Sequence, residues 1–318
     1  MQKMTHRLTE ELRRLFFDNH DNCISCGYKF KEGDTSHLGY GESDKPLYVC
    51  DSCSSQLKET AVRYYFSPRP YEIPSNKSKL WRYMDFAKYV SLLSTSALYF
   101  ARADTFNDTF EGAKGLKKNK SNWDDQLLSF FKMGIKNPPE GYECKDSKEE
   151  IEKKAYKLLQ DFETCSETSR RHTFINCWHE NEHESEAMWR LYSSFLDNAV
   201  AVKTSYKNLY LALGRDLSIS IGRVKYINLQ KNFVDVHNPF WRKRKSFEHE
   251  KEVRAMIFDS ESDSKGKVLP CDLSLLIEEV FVSPSAPQWF IDVVNGVNHK
   301  YGLNVEVSPS ELNEEPFF

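Results

Sequence analysis

No stretch of this 318-residue chain reaches about 18 consecutive apolar residues, so a membrane-spanning helix is not expected. The opening segment MQKMTHRLTEE (Met1–Glu11) lacks the basic-then-apolar run of a secretion signal, and secretion is not expected either. Charge of one sign is also missing. Against 44 Lys and Arg stand 47 Asp and Glu, a net charge of −3, so the chain cannot coat nucleic acid or an anionic membrane through net charge and any such contact must be local. Cysteine is too sparse for a disulfide scaffold, eight residues in all, and four of the eight stand in a metal-like spacing; a reducing, cytoplasmic setting is expected. There is no glycine-rich phosphate loop, no regular βαβ period, no internal repeat and no low-complexity tract. Strands with interspersed helices then point to an α+β fold, not a Rossmann fold.

At about 100–200 residues per domain, the length predicts two domains. Leu8–Phe17 (LTEELRRLFF) has apolar residues at helical spacing and predicts a short lead-in helix. Three prolines within FSPRPYEIP (Phe66–Pro74) predict a stiff, extended connector. The expected division is therefore a small module over 1–65, a proline-rich connector over 66–78 and a large domain over 79–318. Within the large domain, the polar block around 114–170 reads as an insertion with one helix at Lys148–Phe162. Strands are expected at Leu80–Tyr83, Ala97–Ala101, Thr173–Trp178, Ala199–Lys203, Ile219–Tyr226, Glu252–Phe258, Val280–Ser283 and Val305–Val307. Helices are expected at Phe86–Leu93, Ser185–Leu196, Tyr206–Leu213 and Trp289–Tyr301.

The small module holds the strongest motif. Cys23-x-x-Cys26 and Cys50-x-x-Cys53, separated by 23 residues, offer two pairs of thiolates with the bite that tetrahedral Zn²⁺ needs. A redox CxxC usually opens a helix within a βαβ unit, which is absent here. A zinc ribbon or treble-clef-like module is expected, acting as a structural staple or as a binding surface. The segment resembles the start of HNH endonucleases but departs from them: only His37 lies between the pairs, and SSQLKETAVRYY after Cys53 contains no Asn or His.

Four clusters mark the large domain: Leu80-Trp81-Arg82-Tyr83, Phe106–Glu111 (FNDTFE), Cys177–Tyr192 (CWHENEHESEAMWRLY) and Lys245–Ile257 (KSFEHEKEVRAMI). Side chains alternate along a strand, so Glu250, Glu252 and Arg254 would share one face while Val253, Ala255 and Ile257 face the core. A solvated carboxylate pair neutralised by Arg254 is the ordinary reading. Two further runs invite a functional reading. His179 and His183 stand at i and i+4 and would bind a metal if helical, though a polar cap before a helix, with Ser185 as N-cap, fits the surrounding residues. Arg242-Lys243-Arg244-Lys245, beside Trp241, is the densest basic patch. It reads as a solvated face, or as a surface for a polyanionic acceptor with Trp241 stacking on a base.

Taken together, the four clusters resemble a widespread bacterial domain family often encoded in mobile and phage-defence islands. The resemblance covers roughly residues 80–310. The order of an early Arg, a Ser/Thr or Tyr, and a late Glu-x-Glu resembles the ADP-ribosyltransferases. That resemblance implies an ADP-ribosyltransferase-like mixed sheet that takes NAD as substrate. Arg82 would hold the pyrophosphate, Tyr83, Trp189, Tyr192 and Thr204 would complete the NAD site, and Glu252 and Glu250 would be catalytic. It implies transfer of ADP-ribose to a macromolecule, with nucleic acid favoured, RNA before DNA. A toxin or phage-defence setting with a neutralising antitoxin partner would follow. Two alternatives stay open: a non-catalytic sensor using the same groove for a nucleotide or phage component, and a zinc-linked nuclease depending on His37, His179 or His183.

Overall fold

The computed structural model describes residues 4–8, 22–31, 33–42, 46–66, 71–138, 143–193, 196–216, 218–232, 234 and 239–318. The chain divides into two compact units, residues 1–72 with 216–220 and residues 73–215 with 221–318.

In the first unit, β1 (Met4–Leu8), β2 (Thr35–Tyr40), β3 (Pro46–Cys50) and β4 (Glu59–Phe66) form a sheet of order β1-β4-β2-β3. β1 runs parallel to β4, and β2 is antiparallel to both of its neighbours. The register of β2 on β4 shifts after Leu38, and the backbones close up so far that a Cβ on Gly39 would lie 1.9 Å from the Glu59 carbonyl oxygen. Only glycine fits there. Among the described residues, the buried cluster of this unit joins Phe30, Leu38 and Val49 to Cys23, Cys50 and Cys53. The lead-in helix expected over Leu8–Phe17 lies outside the described residues except for Leu8, which ends β1. Residues 67–70 of the connector lie outside them too.

The second unit is α+β, as expected. Its strands are β5 (Lys79–Asp85), β6 (Ala97–Arg102), β7 (Thr173–Glu180), β8 (Ala199–Ser205), β9 (Ile219–Arg223), β10 (Lys225–Ile227), β11 (Arg242–Arg244), β12 (Glu252–Phe258), β13 (Gly266–Pro270), β14 (Glu279–Val282) and β15 (Glu306–Ser308). Its helices are α1 (Phe86–Thr95), α2 (Lys120–Lys136), α3 (Lys148–His172), α4 (Glu186–Tyr192), α5 (Tyr206–Ala212), α6 (Leu273–Leu276) and α7 (Gln288–Lys300). The main sheet runs β13-β6-β7-β5-β8-β14-β15, with β12 on β7 and β9 on β12. It is mixed: β14·β15 is parallel, and β5·β8, β7·β12, β6·β13 and β8·β14 are antiparallel. β8 (AVAVKTS) is buried on both faces, which is why it reads as a continuous apolar run. Behind the sheet, Trp81 and Tyr83 pack with Met188, Trp189, Ala199, Ala201 and Phe281. Burying each of the large side chains contributes roughly 1.5–3 kcal/mol.

The polar block folds as two helices. α3 starts at a capping box in which Ser147 accepts from the Glu150 N–H and Glu150 accepts from the Ser147 N–H. Its Ala155 and Leu159 bury against Trp123, Leu127 and Leu128 of α2, a helix the sequence reading does not anticipate. Among the described residues no helix is long and apolar enough to cross a membrane.

The sheet itself leaves room for a site. β7 is paired along its whole length with β12, but its other edge meets β6 only at Phe174 and Ile175 and β5 only at His179 and Glu180. Between these contacts, at residues 176–178, the sheet is open.

Candidate active site

A cavity of about 530 Å³ fills this opening, within the range of small-molecule sites. It passes from one face of the sheet to the other. Register places Trp81, His179 and Glu252 on one face, because Trp81 pairs with His179 and His179 with Glu252. Arg82, one residue on, stands on the opposite face, with its guanidinium 5.8 Å from the Trp178 ring centre. Both Arg82 and Glu252 line the cavity. The guanidinium has no carboxylate partner among the described residues, and burial pushes its pKa down to about 10.

Across from Arg82 lies a buried ionic network. Arg254, wholly buried, donates from Nε to Glu252 Oε1 (2.8 Å) and from its two terminal nitrogens to Glu111 (2.6 and 3.3 Å). Lys243 Nζ donates to Glu252 Oε2 (3.0 Å) and to Glu250. Tyr192 Oη donates to Glu250 Oε1 (3.3 Å), and the Glu252 backbone N–H donates to Tyr226 Oη (2.8 Å). Burial by itself would raise the Glu252 pKa, but the charges of Arg254 and Lys243 outweigh it and hold that carboxyl at about 2. Glu252 is therefore ionised across the working pH range. Lys243 is likewise held charged, since Glu252 and Glu250 overcome the cost of its burial.

His179 completes the wall. Its Nδ1 lies 2.6 Å from the Glu250 carbonyl oxygen, which only accepts, so Nδ1 carries the proton. Nε2 is then a bare lone pair, buried and without a hydrogen-bond partner among the described residues. Burial lowers the pKa of the ring, keeping it neutral.

No family model and no curated protein matches this chain. Among solved structures it is similar to Thermus sp. 2.9 DarT in complex with NAD+, at 9% identity and a TM-score of 0.35, over 76% of this chain and 100% of that one. It is similar also to Thermus sp. 2.9 DarT in complex with ADP-ribosylated ssDNA, at 10% identity and a TM-score of 0.36, over 77% and 99% of the two chains.

The structure brings together Arg82, Tyr83, Tyr192, Glu250 and Glu252 around one cavity. Glu250 reaches it differently from the expected shared strand face: it ends a 3-10 turn (Lys245–Glu250), and Lys251 in the left-handed region (φ 39°) swings the chain into β12. Other expectations are corrected. Trp189 is fully buried in the cluster behind the sheet, donating from its indole N–H to Glu184 (3.0 Å), and Thr204 is fully buried opposite Leu80; neither lines the cavity. The run Trp241 to Lys245 is not a basic patch. Trp241 is 2% exposed, Lys243 points inward to the carboxylates, and Arg244 pairs with Asp108 at 2.8 Å, leaving Lys245 exposed. Trp241 cannot stack on a base from there. His179 sits in β7, not in a helix, so it and His183 lack the i, i+4 face a metal would use. His37 bonds Asp51 at 2.8 Å. The four-cysteine group is the only candidate metal cluster among the described residues, so the nuclease reading loses its ligands.

The sequence reading misses Glu111, the second anchor of Arg254, although FNDTFE stands out as a cluster. It also places Lys243 on the surface and reads His179 as part of a polar cap, not as a buried hydrogen-bonding group.

In the first unit, the sulfurs of Cys23, Cys26, Cys50 and Cys53 all lie within 4.8 Å of one another, with Cys26 and Cys50 at 3.7 Å. Tetrahedral zinc–thiolate bonds of about 2.3 Å place sulfurs about 3.8 Å apart, so these residues fit a metal ion. Four protein ligands close such a site, leaving no open position for chemistry.

Proposed function

We propose that this protein is an NAD-dependent ADP-ribosyltransferase. The observation that carries the reading is a half-buried guanidinium, Arg82, with no carboxylate partner among the described residues, and an ionised carboxylate, Glu252, lining one cavity from opposite faces of an opened sheet. Arg82 takes the pyrophosphate through its paired N–H donors, and Tyr83 and Tyr192 supply ring surface. As the ribose–nicotinamide bond breaks, its electron pair leaves with nicotinamide and the sugar becomes oxocarbenium-like. Glu252 stabilises that positive charge electrostatically; at a pKa of about 2 it is too weak a base to accept a proton. The attacking group bonds to the same ribose carbon and gives its proton to Glu250.

The proposed acceptor is nucleic acid, RNA before DNA. With the basic run turned inward, this proposal rests on the resemblance and on a zinc-loaded four-cysteine module as a binding surface. A phage-defence or toxin role in the cytoplasm, with an antitoxin partner, belongs to the same proposal, as does the division into a zinc module over 1–65, a connector over 66–78 and a catalytic domain over 79–318.

The test is transfer of label from adenylate-labelled NAD to a bacterial extract by wild type and Glu252→Gln, with products divided by RNase, DNase and protease. Wild type should transfer label that one digestion removes, and Glu252→Gln should lose about 100-fold or more of that rate. Intact NAD with folded wild-type protein would sink the proposal. A second reading, a non-catalytic sensor, is favoured by one observation: both Glu252 oxygens already hold cations. It expects NAD to bind and stay intact, and Glu252→Gln to leave binding unchanged.

A further inference from the structure

We infer that a second cavity in the large unit, about 410 Å³ in volume and bordered by Gly112, Lys114, Lys117, Lys120, Trp123 and Arg170, binds phosphate groups. Of the charged groups that border it, Lys120 and Glu163 are paired with each other, Lys120 also with Asp124, which leaves three cations, Lys114, Lys117 and Arg170, against one carboxylate, Glu167. Arg170 makes no ion pair among the described residues, and its Nε is buried without any hydrogen-bond partner. A buried, unsatisfied guanidinium N–H costs free energy unless an acceptor arrives. Lys117 is exposed and equally without a partner among the described residues.

Lys114 adds a third donor. Its ammonium lies 3.4 Å from the Phe162 ring centre and 5.1 Å from that of Trp123, bonded to the Ser166 hydroxyl and half-buried. Burial lowers its pKa to about 8, outweighing the opposing charge of Glu163. An anion seated between Lys114, Lys117 and Arg170 answers all three groups at once. Phosphate oxygens suit such a site because they accept several charge-assisted bonds.

Two sources offer that chemistry, a nucleic-acid backbone and a free phosphorylated metabolite. The experiment uses the full chain with two probes: inorganic pyrophosphate, followed by calorimetry, and a fluorescein-labelled twelve-nucleotide oligodeoxythymidylate, followed by anisotropy. Wild type is compared with Lys117→Glu, Arg170→Gln, Arg82→Gln and, as a control at an exposed residue outside both cavities, Lys300→Gln. Removing or reversing one charged contact in the second cavity should weaken binding about tenfold. Lys300→Gln should change it by less than about twofold, and Arg82→Gln reports any pyrophosphate held at the proposed NAD site. Should Arg170→Gln fail to fold, Lys117→Glu decides, since an exposed, unpaired lysine tolerates replacement. Oligonucleotide binding with this pattern supports the site and assigns it to a backbone; pyrophosphate binding alone supports it and assigns it to a metabolite. No binding of either probe by wild type, equal binding by both second-cavity variants, or loss confined to Arg82→Gln would overturn the inference.

Discussion

His179 is the group in the cavity whose charge can be read from outside. Its Nδ1–H is committed to the Glu250 carbonyl and burial keeps the ring neutral, whereas in the unfolded chain it protonates near 6.5. Below that value the unfolded state binds the extra proton, so stability falls as pH drops through about 6.5, with a slope of at most about 1.4 kcal/mol per pH unit from this one group. His179→Asn keeps an N–H for the Glu250 carbonyl and has nothing to protonate. Urea midpoints measured between about pH 5 and pH 8 should therefore fall less steeply on acidification in His179→Asn than in wild type; parallel curves would show that the ring is charged in the fold. At this scale the E-x-E spacing and the resemblance single out Arg82, Glu250 and Glu252, which line one cavity, although Glu250 reaches it from a turn and not by strand alternation. The sequence hides Glu111, which meets Arg254 across 143 positions of chain. It also hides the direction of Lys243, since a run of four basic residues looks the same whether it faces water or folds over a pair of buried carboxylates.

The open edge of β7 is a property of strands, and it depends on what holds the segment between β6 and α2. That segment delivers Glu111 to Arg254 and then turns at Gly112, which has φ +73°. A Cβ there would strike Phe240 Cε1 at 2.6 Å and Arg170 Cγ at 3.1 Å. Gly112→Ala combines a left-handed backbone with a clash, and should cost about 2–4 kcal/mol. Because Glu111 is the next residue, the same change should release one anchor of Arg254 and, on the proposed function, reduce NAD turnover by more than the loss of folded protein accounts for. Thermal melts and turnover on the same samples check both parts; an unchanged melting temperature would mean that Phe240 gives way. Most strands and helices of the large unit are legible in the sequence, including the Ser185 cap, whose hydroxyl accepts from the Met188 N–H. α2 is not, because KSNWDDQLLSFFKMGIK carries as much polar as apolar weight and its core face is completed by α3. The strand-like end of β7 is not either, because His179 and Glu180 sit in a polar run and are held in the sheet by β12 and β5.

At the scale of the whole molecule, the two units answer to different sources of stability. The second has a sheet core; in the first, among the described residues, the buried cluster sets three apolar side chains beside three cysteines. If a metal links the four sulfurs, its binding free energy is part of the folding free energy of that unit and is absent from the other. Cys50→Ser, or a chelator strong enough to strip zinc, should then produce a separate low-temperature transition in calorimetry, while the main transition moves by no more than a few degrees. Metal content measured on the purified chain should be about one ion per molecule and should fall to none in Cys50→Ser. The cysteine spacing is legible in sequence because each CxxC pair is a local turn. The core that surrounds it is not, since β2 and β3 are only six and five residues long. The same experiment separates structure from the proposed chemistry: NAD turnover retained by the Cys50→Ser protein would confine the proposed reaction to the second unit, whereas loss of nucleic-acid binding with turnover intact would assign the proposed acceptor capture to the first.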